Sequence, residues 1–327
     1  MTLQISHTIY KSKMNKISLL VLVFSFRAVA QSPQPDYAQS AIESSKYWTD
    51  VDYAGDNITG HKLDIHLPKV GKEPFPVIVC IYGSAWFSNN SKATTFSTGL
   101  GQRLLKEGFA VININHRSSS DAKFPAQIQD VKAAIRFLRA NSAAFSLDSS
   151  FIGVTGWSSG GHLSALTGTT NSTKTEKING LDIDIEGNIG KFTQTSSRVN
   201  AIVDWFGPTD FLIMDSCGSS FKHNEEKSPE SSLIGGPIQQ FKDKVALANP
   251  VSYVNRFNPP FLIFHGDKDG LVPHCQSQKL YAKLQQRGVR SELVIIPGGG
   301  HGPGVMIETY YDKMITFFKD ELKRVKK

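Results

Sequence analysis

Continuous apolar runs of strand length recur along the chain. They cover residues 76–82, 109–114, 151–155, 199–206, 261–265 and 293–296. These runs lack a clean alternation of polar and apolar positions, which is typical of strands buried on both faces of a mainly parallel sheet. Two earlier segments, residues 47–53 and 62–67, do alternate and predict an antiparallel hairpin at the sheet edge. We therefore expect a mixed, mainly parallel sheet of about eight strands.

Helical spacing separates the predicted strands. After Pro125 apolar residues repeat at intervals of three and four, and Leu280 and Leu284 precede Gly288, where a helix would stop. The first repeating set is Ile128, Val131, Ile135 and Leu138, and the set for a final helix is Tyr311, Met314, Phe318, Leu322 and Val325. Alternating strands and helices predict an α/β fold with helices flanking the sheet.

Polar segments interrupt this pattern. Residues 171–198 and 214–248 are rich in Ser, Lys, Asn and Gly and predict surface excursions. We interpret the second as a small cap insertion that decides specificity. Residues 31–45 have the composition of a linker, so the predicted domain spans residues 46–327.

The N-terminus has the pattern of a targeting signal. A basic start at Met14 precedes an apolar run over residues 17–26 and then Ala28-Val29-Ala30. Residues 1–30 therefore resemble a secretory signal peptide and predict a secreted or periplasmic protein. The alternative is a retained membrane anchor, although ten apolar residues are too few to cross a bilayer. Met14 makes a better signal start than Met1.

Composition narrows the function classes. With 40% hydrophobic and 20% charged residues, the chain has a globular rather than a disordered composition. Of its formal net charge of +7, four positive charges lie in residues 1–30. The remaining excess is small, which removes the main support for a nucleic-acid partner. The chain also contains neither H-E-x-x-H nor a P-loop nor a dinucleotide fingerprint, so we expect no metal and no cofactor.

The chain has three cysteines, and in an oxidising compartment two of them can form a disulfide. Disulfides persist outside the cytosol, and an odd count leaves one thiol over. Cys80 lies in a buried run and is expected to be free. A Cys217–Cys275 disulfide is the hypothesis for the other two.

A G-x-S-x-G motif carries the first chemical signal. Gly156, Ser158 and Gly160 lie between a predicted strand and a predicted helix. In a nucleophile elbow the turn is so tight that these neighbouring positions must be glycine, and the serine hydroxyl stands above the sheet. Ser158 is therefore the predicted nucleophile, and a plain glycine-rich turn is the alternative.

An acid and a base follow in chain order. Asp269 lies just past the strand at 261–265, and His301 lies in a glycine-rich loop after the last strand. A serine hydroxyl needs an imidazole to take its proton, and the imidazole needs a carboxylate to orient it. We predict the triad Ser158, Asp269 and His301. Asp267 is the other candidate acid, expected to orient the loop.

Other histidines compete with His301 for the role of the base. His162 begins the helix behind the elbow, where a structural role is favoured. His265 ends a buried strand and His274 follows the acid loop, and both are interpreted as packing or rim residues.

These motifs together resemble a known family. Ile81-Tyr82-Gly83-Ser84-Ala85-Trp86 follows an early strand, Asn115-His116-Arg117 follows the next, and Ser158-Ser159-Gly160-Gly161-His162-Leu163 forms the elbow. The chain resembles the α/β-hydrolase esterases with an H-G-G-x-W loop, in particular the feruloyl and acetyl-xylan esterase-like (BD-FAE-like) branch, near the hormone-sensitive lipase group. The resemblance spans roughly residues 47–325 and implies the α/β-hydrolase fold.

The resemblance also implies an oxyanion hole. The N–H groups of Ser84, Ala85 and Ser159 would be its donors, and Trp86 and Trp157 would wall the substrate pocket. Asp130 is expected to be structural, paired with Arg117.

Three positions depart from the family pattern. Tyr82 replaces the usual His, Ser84 replaces the second Gly, and His116 stands where a Tyr is usual.

We predict a serine carboxylic-ester hydrolase that acts through an acyl-enzyme. The resemblance implies acetyl or feruloyl esters of plant polysaccharide as substrates. A prolyl-oligopeptidase-like peptidase shares the elbow but normally carries a large propeller, for which residues 31–150 leave no room. A non-catalytic binding protein on a hydrolase scaffold is the remaining alternative.

Overall fold

The computed structural model describes residues 42–327, and its core is an eight-stranded sheet. In chain order the strands are β1 (Lys46–Asp52), β2 (Lys62–Leu67), β3 (Phe75–Ile81), β4 (Ala110–Ile114), β5 (Leu147–Trp157), a separate pair β6 (Thr175–Ile178) and β7 (Leu181–Asp184), and then β8 (Ala201–Trp205), β9 (Phe261–Gly266) and β10 (Ser291–Ile296). The sheet order is β1-β2-β4-β3-β5-β8-β9-β10. Within this eight-stranded sheet of residues 42–327, only β2 runs antiparallel to its neighbours, β1 and β4, which confirms the predicted mixed sheet with an edge hairpin.

Helices cover both faces of this sheet. They are α1 (Thr94–Ser97), α2 (Leu100–Lys106), α3 (Ala126–Ala140), α4 (Ser159–Thr169), α5 (Pro229–Ile234), α6 (Lys242–Ala248), α7 (Cys275–Gln286) and α8 (Glu308–Val325). Apolar side chains of α3, α4 and α7 pack on one face, and those of α2 and α8 pack on the other. Because all parallel strands end at one edge, the loops after β3, β5, β9 and β10 lie together there.

The helical periodicity was a good guide to burial. The predicted set on α3 is fully or almost fully buried, as are Tyr311, Met314 and Phe318 on α8. Val325, assigned to the same face, is 43% exposed at the last residue of α8, so that assignment was wrong.

The segment at 171–198 contains more structure than expected. β6 and β7 form a mostly exposed hairpin joined by Asn179 and Gly180, both with positive φ of 51° and 85°. Asn-Gly between two short runs is the sequence signature of such a turn. That signal was present in the chain and was missed.

Residues 214–248, here called the cap segment, contain α5 and α6 and lead back to the sheet through a 3-10 turn at Pro250–Tyr253. The expected signal peptide lies outside the described residues, as does the expected linker up to residue 41. Within residues 42–327 no helix is long and apolar enough to cross a membrane.

Candidate active site

Ser158 lies in a sharp turn between β5 and α4. Its backbone has φ of 55° and ψ of −123°, a conformation that L-residues rarely adopt. A Cβ at Gly156 would lie 2.4 Å from the carbonyl oxygen of Gly160, and a Cβ at Gly160 would lie 2.1 Å from the carbonyl oxygen of Ile81. The two glycines are therefore required by the close approach of backbone on both sides of the elbow.

Ser158, His301 and Asp269 form a continuous hydrogen-bonded chain. Oγ of Ser158 lies 2.9 Å from Nε2 of His301, and Nδ1 of His301 lies 2.8 Å from Oδ2 of Asp269. Because a carboxylate can only accept, Nδ1 carries the proton and Nε2 is left to accept from the serine hydroxyl. The structure thus brings together the three residues that the sequence singled out.

Asp269 is held as a carboxylate. Its Oδ1 accepts from the N–H groups of Leu271 and Val272 at 3.0 and 2.9 Å, and its side chain is fully buried. Burial alone would raise the pKa of Asp269, but hydrogen bonds from His265 and His301 outweigh it and hold that pKa well below its usual range. The group is therefore ionised at any pH near neutrality.

His265 is a contributor that sequence reasoning missed. Its Nε2 lies 3.3 Å from Oδ2 of Asp269 and 2.7 Å from the Val272 carbonyl oxygen, while Nδ1 lies 2.6 Å from the Ser277 hydroxyl. This histidine holds the acid loop and does more than pack. Its position four residues before Asp269, at the end of the strand that leads into the acid loop, was the available signal.

The competing candidates have structural partners. Oδ1 of Asp267 accepts from the N–H of Gly298 at 2.7 Å and so anchors the loop that leads to His301. His162 is fully buried between Trp86 and the Ala248 carbonyl, and burial lowers its pKa to about 4.

The loop after β3 supplies backbone donors near Ser158. Ala85 and Trp86 both have positive φ, 51° and 59°. The N–H of Ser84, expected in the oxyanion hole, donates instead to the hydroxyl of Ser159 at 2.8 Å. The N–H groups of Ala85 and Ser159 make no hydrogen bond within residues 42–327. These two amides remain free to bind a ligand oxygen.

A cavity of about 220 Å³ opens beside Ser158. Its walls include Trp86, Pro208, Phe221 and Val272. Trp157 is not among the described residues that line it, and its role as a pocket wall stays a prediction. As the last residue of β5, Trp157 packs instead towards the hydrophobic cluster of α2 and α8.

Two departures from the family pattern contact each other. The rings of Tyr82 and His116 stack with centroids 4.9 Å apart and an interplanar angle of 14°. The Tyr82 hydroxyl donates to the Ser88 carbonyl at 2.8 Å. The His and Tyr that the family usually has at these two positions are thus exchanged in this chain, directly before the loop that contains Ser84 and Ala85.

The expected structural pairs are also present. Arg117 and Asp130 form an ion pair at 2.7 Å, as predicted. Cys217 and Cys275 form a disulfide and Cys80 is a buried free thiol, which confirms both cysteine assignments. The disulfide joins the cap segment to the first residue of α7, just after the acid loop.

Comparison with known proteins identifies the family. The BD-FAE family model matches residues 63–284, well over half of the chain. The chain belongs to the BD-FAE family. This BD-FAE protein has the α/β-hydrolase fold that its motifs predicted, and the resemblance drawn from the elbow is confirmed.

Solved structures and curated relatives that resemble this chain are described as esterases. A truncated carbohydrate esterase from gut microbiota is 48% identical with a TM-score of 0.81, covering 86% of this chain and 97% of that one. A bifunctional GH43-CE protein of Bacteroides eggerthii is 50% identical with a TM-score of 0.80, covering 84% of this chain and 35% of that one. Esterase LipC of Mycobacterium tuberculosis is 29% identical over 70% of this chain and 53% of LipC. The chain spans about half the length of the curated relatives it matches.

Proposed function

We propose that this protein hydrolyses carboxylic esters through an acyl-enzyme, with Ser158 as nucleophile, His301 as general base and acid, and Asp269 as the group that orients the imidazole. The observation that carries the proposal is the unbroken chain from Oγ of Ser158 through His301 to the buried carboxylate of Asp269. The esterase names of the relatives support the same chemistry.

Acylation uses the proton path of this chain. Oγ of Ser158 attacks the ester carbonyl carbon while Nε2 of His301 takes the hydroxyl proton. The tetrahedral intermediate collapses, the bond to the alcohol oxygen breaks, and His301 returns the proton to the departing alcohol. Asp269 stabilises the imidazolium that exists between these two transfers.

The oxyanion of the intermediate needs donors that are already in place. We assign this role to the N–H groups of Ala85 and Ser159, because neither has a partner within the described residues. The Ser84 N–H bonds the Ser159 hydroxyl and would thereby fix the loop relative to the elbow. Each oxyanion donor typically contributes about 3 kcal/mol to transition-state stabilisation.

Deacylation repeats the steps with water. His301 takes a proton from water as the oxygen attacks the acyl carbon, and the bond to Oγ of Ser158 breaks as that proton returns to the serine. Free acid and resting enzyme result.

Acetyl or feruloyl esters of plant polysaccharide are the proposed substrates. Two solved structures that are about half identical to this chain over the aligned residues are described as a carbohydrate esterase and as a bifunctional GH43-CE protein, which supports this class. No feature of residues 42–327 favours a peptidase or a non-catalytic binding protein.

The test is hydrolysis of p-nitrophenyl acetate and of acetylated xylo-oligosaccharides, with Ser158→Ala under identical conditions. We expect the wild type to release acetate from both and the variant to lose about a millionfold in turnover. Equal, slow rates for both proteins would contradict the role of Ser158. Turnover of Pro-containing amides in place of esters would favour the peptidase.

Export is a further part of the proposal. We propose that residues 1–30 are removed on secretion or transfer to the periplasm, and the Cys217–Cys275 disulfide supports an oxidising destination. Mass spectrometry of the protein recovered from its native compartment tests this. An intact N-terminus on protein from the cytosolic fraction would contradict it.

A further inference from the structure

A buried histidine and a buried carboxylate lie in the cavity beside Ser158, and the proposed reaction uses neither. His223 and Glu230 come from the cap segment, with side chains only 2% and 4% exposed. Both line the cavity together with Trp86 and Phe221. Because ionisable groups are rarely buried in an apolar cavity without a reason, their position next to the nucleophile calls for one.

The polar contacts of His223 define its role. Nε2 lies 2.9 Å from the Leu271 carbonyl oxygen, and Nδ1 lies 3.0 Å from Oε2 of Glu230. A carbonyl only accepts, so Nε2 carries a proton, and Nδ1 faces a second acceptor. Burial lowers the pKa of His223, but the neighbouring Glu230 outweighs that effect and raises it. The contact with Glu230 thus favours the protonated form of His223.

His223 also fixes the cap segment to the acid loop. Gly270 and Leu271 follow Asp269, and their carbonyls accept from Ser219 and Ser220 as well. Glu230 takes no part in these contacts with the loop. Tethering the loop thus explains the imidazole, whereas Glu230 reaches the loop only through its contact with His223.

The carboxylate of Glu230 has spare capacity to accept. Oε2 lies 3.0 Å from Nδ1 of His223 without a hydrogen bond between them, and no described N–H or O–H group donates to either oxygen. Each additional hydrogen-bond donor stabilises a carboxylate in an apolar cavity, because that carboxylate has no hydration to give up when the donor binds. An aromatic wall with a carboxylate beside it suits a ring that carries a hydroxyl group.

We infer that Glu230 is a specificity-determining residue that accepts a hydrogen bond from a hydroxyl group of the ester substrate. The inference rests on the proposed function. The hydroxyl has two chemical sources: a ring hydroxyl next to the acylated position of a sugar, or the phenolic hydroxyl of a feruloyl group.

The test compares a Glu230 variant with wild type on substrates that carry or lack the hydroxyl group. Glu230→Gln keeps the shape of the side chain and removes its charge, and Glu226→Gln, at an exposed position of the same segment, is the matched control. For the sugar source, a monoacetylated methyl xyloside is compared with cyclohexyl acetate. For the phenol source, methyl ferulate is compared with methyl 3-methoxycinnamate. Hydrolysis of p-nitrophenyl acetate reports whether each variant has an intact site.

We expect Glu230→Gln to lower kcat/KM about tenfold or more for the hydroxyl-bearing member of one pair, and by less than about twofold for its partner. The pair that responds identifies the source. The control should behave as wild type throughout. Calorimetric affinities of Ser158→Ala and of Ser158→Ala/Glu230→Gln for the intact ester should differ by a similar factor.

Two failures are distinguishable. Suppose that wild type hydrolyses p-nitrophenyl acetate through Ser158, but that the ratio of kcat/KM between wild type and Glu230→Gln is the same with and without the hydroxyl in both pairs. Glu230 is then only a partner of His223, and the inference is overturned. If wild type hydrolyses no ester, the proposed function fails and the inference falls with it. Should Glu230→Gln not fold, Glu230→Asp keeps the charge, withdraws the oxygens and permits the same comparison.

Discussion

The Cys217–Cys275 disulfide should stabilise the protein without being needed for catalysis. It closes a loop with a sequence separation of 58 residues. Cross-linking a loop of this size removes conformational entropy from the unfolded chain worth about 4 kcal/mol at 25 °C. In the folded protein, bonds from Ser219, Ser220 and His223 to the carbonyls of the acid loop remain when the disulfide is absent.

The perturbation is the double change Cys217→Ser/Cys275→Ser. Unfolding entropy is roughly 2 cal/mol/K per residue, so over about 290 folded residues a loss of about 4 kcal/mol lowers Tm by roughly 7 °C. We expect this shift in a calorimetric scan, with kcat on p-nitrophenyl acetate at 25 °C within about threefold of wild type.

Reduction supplies the control. Dithiothreitol should lower the Tm of the wild type by a similar amount and leave that of the double variant unchanged. The denatured, unreduced wild type should expose one reactive thiol, from Cys80. A Tm shift below about 2 °C would refute the entropic reasoning. A fall of more than tenfold in kcat with little change in Tm would mean that the disulfide positions Asp269.

Further predictions concern the site itself. Asp269→Asn should lower kcat by about 10⁴-fold with Tm little changed, because the imidazole loses the partner that selects its tautomer, and a loss below tenfold would remove Asp269 from the triad. Ser159→Ala frees the Ser84 N–H and should reduce kcat several-fold while leaving KM near wild type; an unchanged kcat would show that the bond does not hold the loop. Tyr82→His and His116→Tyr should each lower the free energy of unfolding, measured in urea, by about 2 kcal/mol, and the loss in the double variant should be about 1 kcal/mol smaller than the sum of the two. Strict additivity would show that the stacked rings are not coupled.

Local patterns predicted most of the scaffold. The buried runs that became β3, β8 and β9 were recognisable because strands covered on both faces must be apolar throughout. The hydrogen-bonded chain of the proposed triad was predictable because an α/β-hydrolase presents its nucleophile, acid and base in a fixed chain order at strand ends. The disulfide hypothesis followed from the predicted destination and from an odd number of cysteines.

The remaining contacts of the candidate site depend on long-range packing, which local sequence patterns do not predict. Trp157 and Trp86 looked equivalent, yet Trp86 lines the cavity and Trp157 packs against the hydrophobic cluster of α2 and α8. The role of His265 depended on a loop that folds back to bring Asp269 within 3.3 Å of its ring. The partner of the Ser84 N–H depended on how closely two loops approach.

By itself the sequence determined the α/β class and predicted the proposed nucleophile, acid and base, since periodicity and tight turns are properties of neighbouring residues. Only the tertiary structure decided which groups surround them. His223 and Glu230 lie in a polar segment with no periodic pattern, and they line the same cavity as Ser158 because the chain returns across the end of the sheet. Contacts of that kind depend on the geometry of distant loops, which local sequence patterns do not encode.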